Sequence, residues 1–220
     1  MRHLLDPLLL SLRVAVVATI LVALIGVPLA YFVARRAFRG RSLVEALLVV
    51  PLILPPTVVG YFILMLLGSR SLLGGVLGRC FGYSILFNWH GAVIASAVVS
   101  LPLLYLPARA AFANIESELE DIARLMGAGP IGVFWHVSLP LARRGIASGL
   151  LLAFARALGE FGATVMVMGD LPGRQTMPIA IYNDYIDGNL RAAAPAVAAL
   201  TAVSLLVILL YNRSTLGRRE

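Results

Sequence analysis

Two charged side chains interrupt an apolar stretch of this sequence, Arg156 and Glu160, both within Ala153–Thr164. Four residues apart, they share one face of a helix. An ionised group at the bilayer centre costs about 2.5–3.5 kcal/mol on insertion scales, so in an apolar span the two must pair or line water. As a pair they lock helices or a dimer interface together. As lining, Arg156 attracts an anion and Glu160 orients it. A second concentration of charge is Glu116, Glu118, Glu120 and Asp121, where a helix dipole favours acidic residues at the helix start. Little else is equipped for catalysis. All 18 basic residues are Arg, which removes any P-loop, whose Lys is obligatory, and any lysine Schiff base. Cys80 has no second cysteine and no ligating companions, and His3, His90 and His136 are scattered. No catalytic residue, metal site or cofactor of the chain's own is expected.

The elements that must hold these residues are written in the hydropathy. Of 220 residues, 60% are hydrophobic and 13% charged, about half the charge of an ordinary soluble domain, and the mean hydropathy is +0.92. Polar surface could not cover so much apolar side chain; lipid can. Stretches at 14–33, 43–67, 92–113, 146–168 and 192–211 each approach the 20 or so residues that a crossing needs. The first is too long for a signal-peptide core, and Arg35 and Arg36 stand where a cleavage site would be, so it reads as an uncleaved span. The stretch 71–87, broken by four glycines and Arg79, reads as a re-entrant or interfacial loop. The expectation is an all-α, polytopic membrane helix bundle of one domain (1–220), with five spans, or six if 71–87 crosses. Pro51, Pro55, Pro56, Pro102 and Pro107 should kink spans two and three. In a five-span arrangement ten Arg fall on one side and six on the other. The excess of net charge (+7) therefore marks a cytoplasmic face rather than a nucleic-acid surface, with the N-terminus outside and the C-terminus inside. Arg109, near the inner end of span three, reads as a snorkelling residue.

One connecting segment, 114–144, is long and apolar, which is uncommon for a loop without a function. Leu119, Ile122, Ala123 and Met126 fall at i, i+3, i+4 and i+7, one helix face. Gly127-Ala128-Gly129-Pro130 ends that helix, and a second short one runs over 131–138 until Leu139-Pro140. The result is a helix–turn–helix on the cytoplasmic face with a greasy side, suited either to its own bundle or to a groove on a soluble partner.

The run Asp121-Ile122-Ala123, three residues, Gly127, nine residues, Val137, one residue, Leu139-Pro140 resembles the EAA loop of binding-protein-dependent ABC importers. That pattern reads Glu-Ala-Ala, three residues, Gly, nine residues, Ile, any residue, Leu-Pro; Asp121, Ile122 and Val137 depart from it. Ala153-Phe154-Ala155-Arg156-Ala157-Leu158-Gly159-Glu160-Phe161-Gly162-Ala163-Thr164 is similar to the signature of molybdate-type permeases, in the molybdate/tungstate/sulfate group. Leu54-Pro55-Pro56-Thr57-Val58-Val59-Gly60, Pro172-Gly173 and Pro178-x-Ala180-Ile181-Tyr182 also look like that family. Arg174-Gln175-Thr176 departs where the family often has two Thr around Gln. The likeness spans 11–212. It implies a non-enzymatic permease subunit of a molybdate importer in a bacterial or archaeal plasma membrane. Asp121, Ile122, Ala123, Gly127, Phe134, Leu139 and Pro140 would couple it to a separate ATPase that binds ATP and Mg. Its other partners would be an external oxyanion-binding protein and a second copy of itself, with no nucleic acid. The rivals are a tungstate or sulfate permease and an ion-coupled secondary transporter. The last would need an internal repeat, which the sequence does not display.

Overall fold

The computed structural model describes residues 2–68, 71, 74–75, 86–170 and 174–216. Arg70, Arg79, Cys80, Pro172, Gly173, Arg218, Arg219 and most of 71–87 lie outside the described residues, so the expectations resting on them are not met or refuted by the fold.

The described residues are almost entirely helical. The helices are α1 (Arg2–Arg35), α2 (Arg41–Ile53), α3 (Pro56–Leu67), α4 (Trp89–Ala113), α5 (Ser117–Leu125), α6 (Pro130–Val133), α7 (Leu139–Leu158), α8 (Gly162–Met168), α9 (Met177–Ile186) and α10 (Leu190–Leu216), with a π turn over Phe134–Ser138 between α6 and α7. Among the described residues, four helical runs are long and apolar enough to cross a bilayer, and the bent pair α2–α3 makes a fifth if it counts as one span.

α4 is the axis of the bundle: 61% of its apolar window is buried against protein, compared with 28% for α1 and 17% for α10. α1 and α7 flank it, and one core cluster joins Val27, Ala30 and Val33 of α1 to Leu104, Tyr105 and Phe112 of α4 and Ala142 and Ile146 of α7. The α4–α7 crossing is close because α7 carries small residues there. A Cβ on Gly149 would stand 3.0 Å from the Leu104 Cα and carbonyl oxygen, and one on Gly145 would stand 2.5 Å from Ala111 Cβ. Small residues spaced by four let helix backbones approach in a membrane, where lipid supplies no hydrophobic drive between helices.

Two expected spans take a different form. The stretch 43–67 is two half-length helices bent by 119°. Proline disfavours a helical conformation at the residue before it, so Leu54 before Pro55 and Pro55 before Pro56 leave the helix, with ψ of 144° and 134°. The stretch 146–168 is displaced: its helix begins far earlier, as a continuous run Pro130–Leu158, and ends before Gly159. Leu139-Pro140 therefore breaks nothing. Leu139 N–H donates to the Phe134 carbonyl, a π-type bond, and the wider turn admits Pro140, which has no N–H to give, at the start of α7. Beyond the gap at Gly159–Phe161, α8 packs against α3 so tightly that a Cβ on Gly60 would lie 2.8 Å from Met166 Cβ.

Candidate functional site

The hairpin begins where α4 ends. After an irregular link, Asn114–Glu116, comes α5, whose acidic first turn suits the helix dipole. Its end is a Schellman motif: Ala128 N–H donates to the Ala123 carbonyl and Gly127 N–H to the Arg124 carbonyl, both at 3.0 Å. Gly127 makes this possible with φ at +92°, a conformation that costs side-chain-bearing residues energy. Pro130 then starts the return helix at a position that needs no N–H.

The tip of this hairpin is oily and open. Leu125 is 88% exposed, Met126 84% and Ile131 75%, and Leu119, Ile122 and Trp135 are exposed too. The apolar face read from the sequence thus points away from the bundle. The sequence-predicted residues divide by depth. Asp121, Ile122, Gly127 and Pro140 are exposed, and Ala123, Phe134 and Leu139 are half-buried. Phe134 faces inward, its ring 4.9 Å from Tyr31 and 6.3 Å from Phe112, so it seats the hairpin on α1 and α4.

The root of the hairpin is built on one of the four acids Glu116, Glu118, Glu120 and Asp121, which the sequence does not single out. Glu120 is buried, 3% exposed. Its Oε1 lies 2.9 Å from Arg35 Nε and accepts the Ser138 hydroxyl at 2.7 Å; its Oε2 lies 3.2 Å from Arg124. Arg35 also donates to the Ile115 carbonyl at 3.0 Å. Arg35 closes α1 and Ser138 closes the π turn, so the carboxylate binds three separated stretches. Nothing local in sequence distinguishes Glu120 from Glu116 or Glu118, both exposed.

Arg156 and Glu160 do meet, at 2.6 Å, with the carboxylate almost wholly buried. They do not share one uninterrupted helix. Glu160 stands beyond the end of α7, and its Oε1 accepts the Ala163 N–H at 2.8 Å, satisfying a free donor in the first turn of α8. The pair splices α7 to α8 across the gap. Arg109, expected to snorkel, instead pairs with Glu45 of α2 at 2.9 Å, and Arg41 reaches the same oxygen at 3.0 Å.

The family profile described as binding-protein-dependent transport system inner membrane component matches residues 26–215, which takes in the hairpin, its buried root and the Arg156–Glu160 splice. The chain belongs to that family. This inner membrane component is 42% identical over 178 residues to the molybdenum transport system permease protein ModB of Escherichia coli, covering 80% of this chain and 78% of the relative. It is 36% identical over 222 residues to the molybdate/tungstate transport system permease protein WtpB of Pyrococcus furiosus, covering 99% of this chain and 82% of that one. In fold it is similar to a bacterial ABC transporter involved in the import of the acidic polysaccharide alginate, with a TM-score of 0.76 at 17% identity, covering 100% of this chain and 81% of that chain. With its several apolar helices, the inner membrane component is a multi-pass protein of the plasma membrane.

Proposed function

We propose that this chain is the permease subunit of an ATP-driven importer of molybdate, and that the 114–144 hairpin is its coupling element. The observation that carries the reading is the hairpin tip. Leu125, Met126 and Ile131 are 75–88% exposed at the end of a hairpin whose root is buried and ion-paired. Apolar side chains held out on a fixed stem lose free energy in water and regain it in a partner's groove. The partner is a separate ATPase that binds ATP and Mg. Because the chain contains no Lys, it has no P-loop of its own for that nucleotide.

On this reading the N-terminus is outside, the C-terminus and hairpin are cytoplasmic, and the working unit is a homodimer fed by an external oxyanion-binding protein. Both relatives described above carry molybdenum or molybdate in their names, which favours molybdate over sulfate. Arg156 offers no free positive charge for the dianion while Glu160 holds it at 2.6 Å, so the pair serves to lock α7 to α8. The test is co-purification with the Walker-motif ATPase. Ile122→Glu or Leu125→Glu should weaken association at least tenfold, as desolvating a carboxylate in an apolar groove would. Full ATP-dependent molybdate uptake by either variant would refute the coupling role. Uptake of molybdate, tungstate and sulfate compared in the wild-type complex assigns the cargo.

A further inference from the structure

The hairpin joins the bundle at two compliant points. One is the irregular Asn114–Glu116 link from α4; the other is the π turn Phe134–Ser138 that leads into α7. Neither has the full α-helical ladder that makes a helix a stiff rod, and π turns of this kind cluster at functional sites. A push on the exposed tip would bend these points before it moved a membrane helix. Glu120 bridges both. It accepts the Ser138 hydroxyl at the end of the π turn, and it pairs with Arg35, whose other nitrogen holds the Ile115 carbonyl in the link.

Stability alone does not account for a buried ionic tie, since apolar residues of like volume usually serve as well or better. What the tie adds is geometry: the charged bond from the Ser138 hydroxyl has fixed direction and length, and the Arg35 ion pair at 2.9 Å holds the same oxygen against the end of α1. We propose that Glu120 is a positioning residue of the coupling step, making the hairpin, the inner end of α1 and the start of α7 a single lever. This rests on the ATPase-docking reading and adds to it the route by which motion leaves the hairpin. Displacement of the tip then reaches two membrane helices together. Without the tie, the tip moves on its compliant attachments and nucleotide turnover is spent without rocking the bundle.

The experiment uses the full chain reconstituted with its ATPase and binding protein. E120Q keeps the shape and one acceptor but removes the charge that Arg35 needs. The complex should still co-purify and hydrolyse ATP, while molybdate moved per ATP falls about tenfold, the range of a lost coupling free energy. S138A, which leaves the ion pair in place, should lower that ratio by a smaller factor, about threefold. Spin labels at Glu118→Cys, exposed on α5 away from the docking tip, and Phe32→Cys in a Cys80→Ser background report the lever directly. Their distance should hold constant between nucleotide-free and ATP-trapped wild type, and should change or broaden in E120Q. An unchanged transport-to-hydrolysis ratio in E120Q overturns the proposal. So does loss of ATPase binding by E120Q, which would make Glu120 a mere shaper of the docking face. Failure of the wild-type chain to hold any ATPase would instead sink the docking reading, and the variant plays no part in that result.

Discussion

Glu120 and Glu160 present the same local picture and do different work. Each is a nearly buried carboxylate with an Arg four residues away, Arg124 in one case and Arg156 in the other. For Glu160 the partners stay within an eight-residue stretch, Arg156 and the Ala163 N–H, so the group repairs a gap in one path of the chain. For Glu120 the decisive partners are Arg35 and Ser138, far away in sequence, and the nearby Arg124 is the weakest contact at 3.2 Å. Spacing of four residues therefore establishes who can pair, and burial against other elements establishes what the pair is for.

The comparison breaks most readily at Glu120. Glu120→Ala strands Arg35, whose side chain is 16% exposed, without its counter-charge. A loss of about 3–5 kcal/mol is expected for a broken buried pair, seen as a lower midpoint in SDS titration; a midpoint within error of wild type would equate the two carboxylates. Glu160→Ala should cost less, about 1–3 kcal/mol, because Arg156, at 28% exposed, is less enclosed than Arg35 and one α8 N–H loses its acceptor. Its effect should appear as faster amide exchange confined to α8, whereas the Glu120 variant loosens the hairpin and the end of α1 together. Gly127→Ala puts a side chain on a backbone at φ +92° with open space around it. The penalty is conformational alone, about 1 kcal/mol, read as exchange about fivefold faster in the hairpin. Arg124→Ala should do least. Its side chain is 51% exposed, and a helix pair of that kind contributes about 0.3–0.5 kcal/mol. A larger loss would place Arg124 beside Arg35 as a principal partner.

Several features were legible in the residues alone. The apolar stretches announced a helical bundle, because crossing lengths are dictated by bilayer thickness rather than by contacts. The hairpin was legible from its helical period and from the break at Gly127-Ala128-Gly129-Pro130, though the φ of +92° at Gly127 was not. Other features were not. In the 43–67 stretch Pro55 and Pro56 place the break, but no local pattern states the 119° between its halves, which accompanies the packing of α3 on α8 and α4. Leu139-Pro140 looked like a terminator because proline lacks an N–H, but a preceding π turn absorbs that defect and leaves no local trace in residue type.

By itself, then, the sequence determined the medium, the helical class and the position of an oily hairpin, since hydrophobicity, period and helix-breaking glycine and proline are properties of neighbouring residues. Only the tertiary structure decided which carboxylate is buried, whether Phe134 faces inward, and that Arg109 pairs with Glu45. These depend on which helices cross where. Those crossings are set by close approaches such as Gly149 on Leu104 between segments about forty-five residues apart, beyond the reach of any local pattern.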